Sequence, residues 1–123
     1  MAYTICQAIA RNEGYNVPNS RARRNNNPGN INYGVFAKAH GADCIETIPD
    51  GFNENPRFAH FPDEDTGFKA MKALLSGHYA GLTITQMYNE YAPPSDSNNT
   101  VKLIDNLCLW TGLPSSIVID DYL

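Results

Sequence analysis

The fold begins with a helix encoded by the stretch Thr4-Ile5-Cys6-Gln7-Ala8-Ile9-Ala10-Arg11-Asn12-Glu13-Gly14. Thr4 and Gln7 have the spacing of a capping box, in which each side chain hydrogen-bonds the backbone amide of the other residue. Apolar residues recur inside the stretch at helical spacing, and Gly14 suits the left-handed residue that commonly ends a helix. The stretch therefore predicts a short amphipathic helix that stops at Gly14.

Glu13 is the residue of this helix with the clearest chemical potential. It lies four residues after Ile9 and eight after Ile5, so it continues their apolar face at the rim of the core. Partial burial and the negative end of the helix dipole both favour the protonated carboxyl. A glycosidic bond needs such an acid, because its leaving oxygen must receive a proton. Glu13 is thus a candidate catalytic acid, and a solvated glutamate without a role is the alternative.

The composition changes after this helix. Residues 14–61 are dense in Asn, Gly and Pro, which favours loops and short strands. Within them, residues 45–48, the turn-forming Pro49-Asp50-Gly51 and residues 57–61 predict a loose hairpin.

Helical periodicity resumes after Pro62 and continues almost to the end of the chain. It predicts a helix that ends near Gly81, a second one opened by the capping box of Thr83 and Gln86, and a third capped by Asn98 or Asn99. A last short turn is expected at Ser115 or Ser116. The element order predicts one small α+β domain over residues 1–123, mostly α-helical.

Composition and charge exclude several functional classes. A hydrophobic content of 42% in 123 residues is that of a folded protein, and a net charge of -4 argues against a nucleic-acid partner. No apolar run approaches the roughly 20 residues of a membrane span, so we expect no membrane insertion. The start of the chain lacks the pattern of a signal peptide. The histidines show no metal-ligand spacing, and we expect neither a metal nor another cofactor.

The segment Arg23-Arg24-Asn25-Asn26-Asn27-Pro28-Gly29-Asn30-Ile31-Asn32-Tyr33 has an unusual density of amides. Asparagine side chains offer donors and acceptors that suit sugar hydroxyl and acetamido groups. Asparagines around a Pro-Gly turn also commonly cap their own backbone. From the residues alone, the second, structural interpretation is favoured.

Ordered motifs along nearly the whole chain resemble a family of small lysozyme-like cell-wall lytic enzymes of bacteriophages and prophages, similar to soluble lytic transglycosylases. These motifs are Ala8–Gly14, Arg24–Ile31, Phe58–Phe61 leading into Gly67–Ala70, Leu82–Ile84, Tyr91–Pro94, Asn98–Thr100 and Thr111–Leu113.

The resemblance implies a lysozyme-like fold with a cleft between its helical and β-containing parts. It implies that Glu13 is the catalytic glutamate, because the family's glutamate also ends the first helix before a glycine. The residues that it implies for substrate binding are Asn30, Ile31, Asn32, Tyr91 and Asn99. Leu103 departs from the family, whose members often carry a tyrosine there, and this departure bears on activity or product.

Two glycosidase mechanisms fit these features. A two-carboxylate hydrolase needs a second acid about 5–9.5 Å from the first, and the hairpin region supplies Glu46, Asp50 and Glu54. A lytic transglycosylase needs one glutamate, because the 6-hydroxyl of muramic acid attacks the anomeric carbon. The single clear acid favours the transglycosylase, or a hydrolase that replaces the second acid with the acetamido group of its substrate, and a two-carboxylate muramidase is the alternative.

Two non-enzymatic alternatives stay open: a peptidoglycan-binding or virion structural module, and an adaptor with an aromatic contact surface. For the enzyme we expect a monomer whose partner is the glycan strand of peptidoglycan. We expect it to be made in the bacterial cytoplasm and to reach the cell wall after release, as part of a virion, or as an exported effector.

Overall fold

The computed structural model describes residues 2–47, 55–96 and 98–123. About half of the chain is helical, and one two-stranded antiparallel sheet accompanies the helices, which confirms the predicted α+β, mostly helical class. The elements are α1 (Ile5–Asn12), α2 (Arg21–Arg24), α3 (Val35–Ala39), β1 (Cys44–Ile45), β2 (Ala59–His60), α4 (Glu64–Gly77), α5 (Ile84–Tyr91) and α6 (Thr100–Thr111), with 3-10 turns at Pro94–Asp96 and Ile119–Tyr122.

The chain divides into two compact units, and the division falls within α1 and α4. The helical unit comprises Met1–Ala8 and Leu74–Leu123, and the α/β unit comprises Ile9–Ala73. The prediction of a single domain over 1–123 stays a prediction. No helix in the described part of the chain combines the length and apolarity that crossing a membrane requires.

In the helical unit, α5 packs against α6, and the caps predicted from sequence are present. Thr83 and Gln86 form the capping box of α5, and Asn99 accepts a hydrogen bond from the backbone of Lys102 at the start of α6. At the start of α1, Thr4 and Gln7 exchange hydrogen bonds of 3.0 and 3.2 Å. The unit buries a set of apolar side chains completely: Ile5, Leu75, Ile84, Met87, Tyr88, Leu107 and Ile119.

The α/β unit contains an antiparallel strand pair near the predicted hairpin, with Cys44 opposite His60 and Ile45 opposite Ala59. The first strand is shorter than predicted and shares only Ile45 with residues 45–48, of which Ile48 lies outside the described residues. The predicted turn at Pro49–Gly51 lies outside the described residues. Two short helices, α2 and α3, interrupt the region that was expected to hold loops and strands. Helix α4 ends at Gly77, four residues before the predicted Gly81.

Helix α4 approaches the asparagine-rich turn closely at Gly67. A Cβ atom on Gly67 would lie 1.9 Å from the carbonyl oxygen of Asn26 and 3.0 Å from the side chain of Pro28. Real Cβ atoms do not approach so closely, so this contact requires glycine. The Gly67 position thereby brings the start of α4 against the turn that leads to Asn30.

Candidate active site

Glu13 caps the C-terminal end of α1, directly after Asn12, because the residues that follow it form a helix-ending motif. The backbone N–H of Tyr15 donates to the carbonyl of Ala10 at 2.9 Å, and that of Gly14 donates to Arg11 at 3.1 Å. Gly14 has a φ of 80°, in the left-handed region that glycine adopts without strain. These bonds form a Schellman motif, which fixes the backbone beneath the Glu13 carboxyl.

The segment after Glu13 is anchored by Arg23. Its guanidinium Nε donates a 2.9 Å hydrogen bond to the carbonyl of Tyr15 and lies over the Tyr15 ring, 4.3 Å from the centroid. The same ring meets Phe68 edge-on, at a centroid distance of 5.5 Å. The buried Tyr15 side chain therefore holds the chain at the exit of the helix, one residue beyond Gly14.

Asn30 contacts Glu13 directly. Its side-chain Nδ2 donates a 3.0 Å hydrogen bond to Oε2 of Glu13. Asn30 has a φ of 48°, a left-handed conformation that asparagine tolerates better than most residues. Its other side-chain atom, Oδ1, is buried and accepts no hydrogen bond from the described residues. The amide thus presents a donor to the carboxylate and keeps a buried acceptor unsatisfied.

The surroundings of Glu13 raise the pKa of its carboxyl above the ordinary 4.5. The larger cause is burial, which disfavours the charged form, and the hydrogen bond from Asn30 offsets this only in part. The carboxyl is half-buried, as its position on the apolar face of the helix predicts. Protonated at higher pH than an ordinary glutamate, Glu13 can donate a proton to a weakly basic oxygen.

The asparagines before the Pro-Gly turn have structural roles, as the second interpretation of this segment predicts. Asn27 is fully buried and donates to the carbonyls of Ile31 and Ala59 at 3.0 and 2.9 Å, while accepting from the backbone N–H of Ile31. Asn26 donates to the carbonyl of Phe61 at 3.0 Å. These side chains tie the turn to the strand region and position Asn30.

Glu46 does not suit the role of second acid that the sequence suggested. Its carboxylate is fully buried and accepts hydrogen bonds from Nε and Nη2 of Arg21 at 2.8 and 2.6 Å. It also accepts from Asn25 and from the backbone N–H groups of Arg57 and Phe58. Burial alone would raise the pKa of Glu46, but these bonds together lower it to about 2. Because both oxygens are engaged, we assign Glu46 a structural role.

Of the remaining predicted site residues, two lie outside the described part of the chain, two lie in the α/β unit and two in the helical unit. Asp50 and Glu54 lie outside the described residues. Ile31 is buried and Asn32 is exposed, where it forms an isolated β-bridge with Phe58 in the α/β unit.

Tyr91 and Asn99 belong to the helical unit. Tyr91 is half-buried and its ring lies 5.6 Å from that of Tyr79 and 6.3 Å from that of Tyr88. Asn99 is exposed, and its side chain caps α6.

The contacts of Glu46 and Glu13 could not be found from local patterns. Arg21 and Glu46 are separated by 25 residues and Glu13 and Asn30 by 17, so no motif spacing links them. The composition around Arg21 indicated a loop. Comparisons of this chain with protein-family models, with curated proteins and with solved structures find no significant match.

Proposed function

We propose that this chain is a lysozyme-like glycosidase that cleaves the β-1,4 bond between N-acetylmuramic acid and N-acetylglucosamine in peptidoglycan. The observation that carries the proposal is the half-buried carboxyl of Glu13, whose pKa is raised and whose ionised form Asn30 contacts. A glycosidic oxygen is a poor leaving group until it is protonated, and a carboxylic acid with a raised pKa keeps the proton it must supply to higher pH than an ordinary glutamate does.

The mechanism that we propose is that of a lytic transglycosylase. Glu13 gives its proton to the glycosidic oxygen as the bond from this oxygen to the anomeric carbon breaks. The resulting carboxylate then takes the proton of the muramic acid 6-hydroxyl, whose oxygen bonds to the same carbon. The product carries a 1,6-anhydro ring, no water is consumed, and Glu13 ends the cycle protonated.

The engagement of Glu46 favours this single-acid mechanism. A two-carboxylate hydrolase would need a second carboxylate with an oxygen open to water or to the sugar. Both oxygens of Glu46 are instead occupied by Arg21, Asn25 and two backbone N–H groups. Glu46, the candidate second acid that lies among the described residues, therefore stabilises the fold and has no oxygen open to the substrate.

Asn30 supports the ionised state of Glu13 that the proposed cycle passes through. Its Nδ2 donates to the ionised carboxylate, which lowers the cost of forming that state in a half-buried position. Under this proposal the chain acts as a monomer on glycan strands, after it has left the cytoplasm in which it is made or as part of a virion.

Mass spectrometry of a digest of purified peptidoglycan tests the proposal. We expect muropeptides with 1,6-anhydromuramic ends. Reducing muramic acid ends would show that the chain is a muramidase, and Asp50 and Glu54 would then be the next residues to substitute. Binding to sacculi without release of fragments at any pH would show that the chain is a peptidoglycan-binding module and not an enzyme.

A further inference from the structure

A second group of chemically reactive side chains lies on the two-stranded sheet and has no part in the proposed glycosidase site. Asp43, Cys44 and His60 each place one potential metal-ligating atom within 4.8 Å of the other two. Nδ1 of His60 lies 2.6 Å from Oδ1 of Asp43, and Sγ of Cys44 lies 3.7 Å from the same oxygen. A nitrogen, a sulfur and an oxygen ligand thus converge.

Strand pairing explains the convergence. Cys44 and His60 are direct partners in the antiparallel register, which places their side chains on the same face of the sheet. The other pair, Ile45 and Ala59, alternates to the opposite face, where Ala59 is completely buried. The backbone N–H of Asp43 donates to the carbonyl of His60 at 3.0 Å, which holds the aspartate beside the histidine ring.

The cluster is accessible from solvent. Cys44 is exposed, and the side chains of His60 and Asp43 are 31% and 47% exposed. An ion can therefore reach all three side chains and keep water as a further ligand without a change in the core.

We propose that Asp43, Cys44 and His60 bind one Zn²⁺ ion, or a divalent transition metal of similar softness, with water completing the coordination. Thiolate and imidazole together select zinc over the hard ions Mg²⁺ and Ca²⁺, which prefer oxygen ligands. Three protein ligands with an open position are also a common zinc arrangement.

Two of the ligand–ligand distances can be compared with those of a tetrahedral ion, and the third, between Sγ of Cys44 and Nδ1 of His60, is within 4.8 Å. With zinc–ligand bonds of about 2.0–2.3 Å, ligand atoms of a tetrahedral site lie about 3.3–3.6 Å apart. The 3.7 Å between Sγ of Cys44 and Oδ1 of Asp43 matches this range. The 2.6 Å between His60 and Asp43 is a hydrogen bond that must widen when the ion replaces the shared proton.

When the ion binds, the Cys44 thiol releases its proton to solvent and becomes a thiolate. His60 coordinates through Nδ1, and a proton held on Nδ1 passes to Nε2 or to solvent. The sequence could not indicate this site, because Cys44 and His60 meet only through the strand register.

Titration of the untagged, reduced protein with Co²⁺, which substitutes for zinc and absorbs light, tests the proposal. We expect the ultraviolet absorption of a sulfur–cobalt bond, saturation at one ion per chain, and its loss when Zn²⁺ is added. Cys44→Ser should abolish this absorption. His60→Ala should weaken binding at least about tenfold, since even indirect partners of a metal are worth that much.

Cys108→Ser and His78→Ala are matched controls that should bind cobalt as the wild type does. All four substitutions are at positions that are exposed or half-buried, and circular dichroism checks that each variant is folded. The proposal is overturned if the wild type shows no sulfur–cobalt absorption, or if the absorption persists in Cys44→Ser.

Discussion

The side-chain amide of Asn30 donates a 3.0 Å hydrogen bond to Oε2 of Glu13, and it does so from a left-handed backbone position. This bond favours the ionised carboxylate, whereas burial of Glu13 disfavours it more strongly, so the net pKa is raised. Under these two opposing effects, Glu13 keeps its proton to higher pH than an ordinary glutamate and still has a hydrogen-bond partner when it is ionised.

Glu13→Gln should stabilise the fold at neutral pH. Because the pKa of Glu13 in the folded state is above its ordinary 4.5, the folded state binds more protons than the unfolded state. The contribution of Glu13 to the free energy of unfolding is therefore fully present below about pH 4.5 and is lost as the pH rises through the raised pKa. Thermal melts should give Glu13→Gln a higher Tm than wild type at pH 7 and a smaller difference at pH 4. Equal differences at both pH values would contradict this explanation.

Asn30→Gly should shift the pH dependence of activity. Glycine tolerates the left-handed backbone at this position, so the variant removes the amide without adding strain. Loss of the hydrogen bond that lowers the pKa of Glu13 should move the high-pH limb of kcat/KM to higher pH, because the reaction needs the protonated acid. Asn89→Ala removes an exposed asparagine from the helical unit and should leave the limb in place. If the high-pH limb of kcat/KM does not shift in Asn30→Gly, the ionisation that produces this limb belongs to a group other than Glu13.

Glu46→Gln should destabilise the protein by about 3–5 kcal/mol, because it leaves the buried Arg21 guanidinium without its counter-ion. Asp65→Asn breaks an exposed ion pair with Lys69 and should cost at most about 0.5 kcal/mol. The folded-state pKa of Glu46 is lowered to about 2. The contribution of Glu46 to the free energy of unfolding is therefore present above about pH 4.5 and is lost as the pH falls towards 2. Urea denaturation of both variants measures the two costs.

The same variant separates a structural role of Glu46 from a catalytic one. Measured per folded molecule, at a temperature where Glu46→Gln is still native, peptidoglycan cleavage should stay within a few-fold of wild type. A loss as large as that expected for Glu13→Gln would show that Glu46 takes part in the reaction and would revive the two-carboxylate mechanism.

Gly67→Ala should destabilise the α/β unit by at least about 1–3 kcal/mol, since its Cβ would overlap the carbonyl of Asn26 and something must shift. Gly77→Ala, in the same helix, adds a methyl group that meets nothing within 4 Å. That variant should be neutral or stabilising by up to about 1 kcal/mol. Chemical denaturation compares the two, and equal effects would show that the close approach at Gly67 does not constrain the turn.

Sequence predicted the elements that depend on local spacing. The capping boxes at Thr4–Gln7 and Thr83–Gln86 are present because their bonds join residues three apart, which any helix start brings together. Helices α2 and α3 were missed because four or five residues cannot show helical periodicity, and the surrounding asparagines and glycines indicate loops.

Sequence selected the two side chains of the candidate site but not the contact between them. Glu13 and Asn30 were each selected, one from its place on a helix face and the other from a family resemblance, but their hydrogen bond depends on the turn that Asn27 holds. Glu46 was a candidate second acid because it lies in the hairpin region, whereas the structure buries its carboxylate against an arginine 25 residues away. Contacts of that length come from tertiary packing, which no local pattern encodes.

The proposed role of Glu13 as catalytic acid is tested by the rate at which Glu13→Gln releases muropeptides from purified peptidoglycan. Glu90→Gln, the same chemical change at an exposed glutamate, is the matched control. We expect Glu13→Gln to be folded, to bind peptidoglycan and to release fragments at least about 10²–10⁴ times more slowly than wild type, whereas Glu90→Gln should release them at the wild-type rate. Release by Glu13→Gln at the wild-type rate would show that Glu13 is not the catalytic acid.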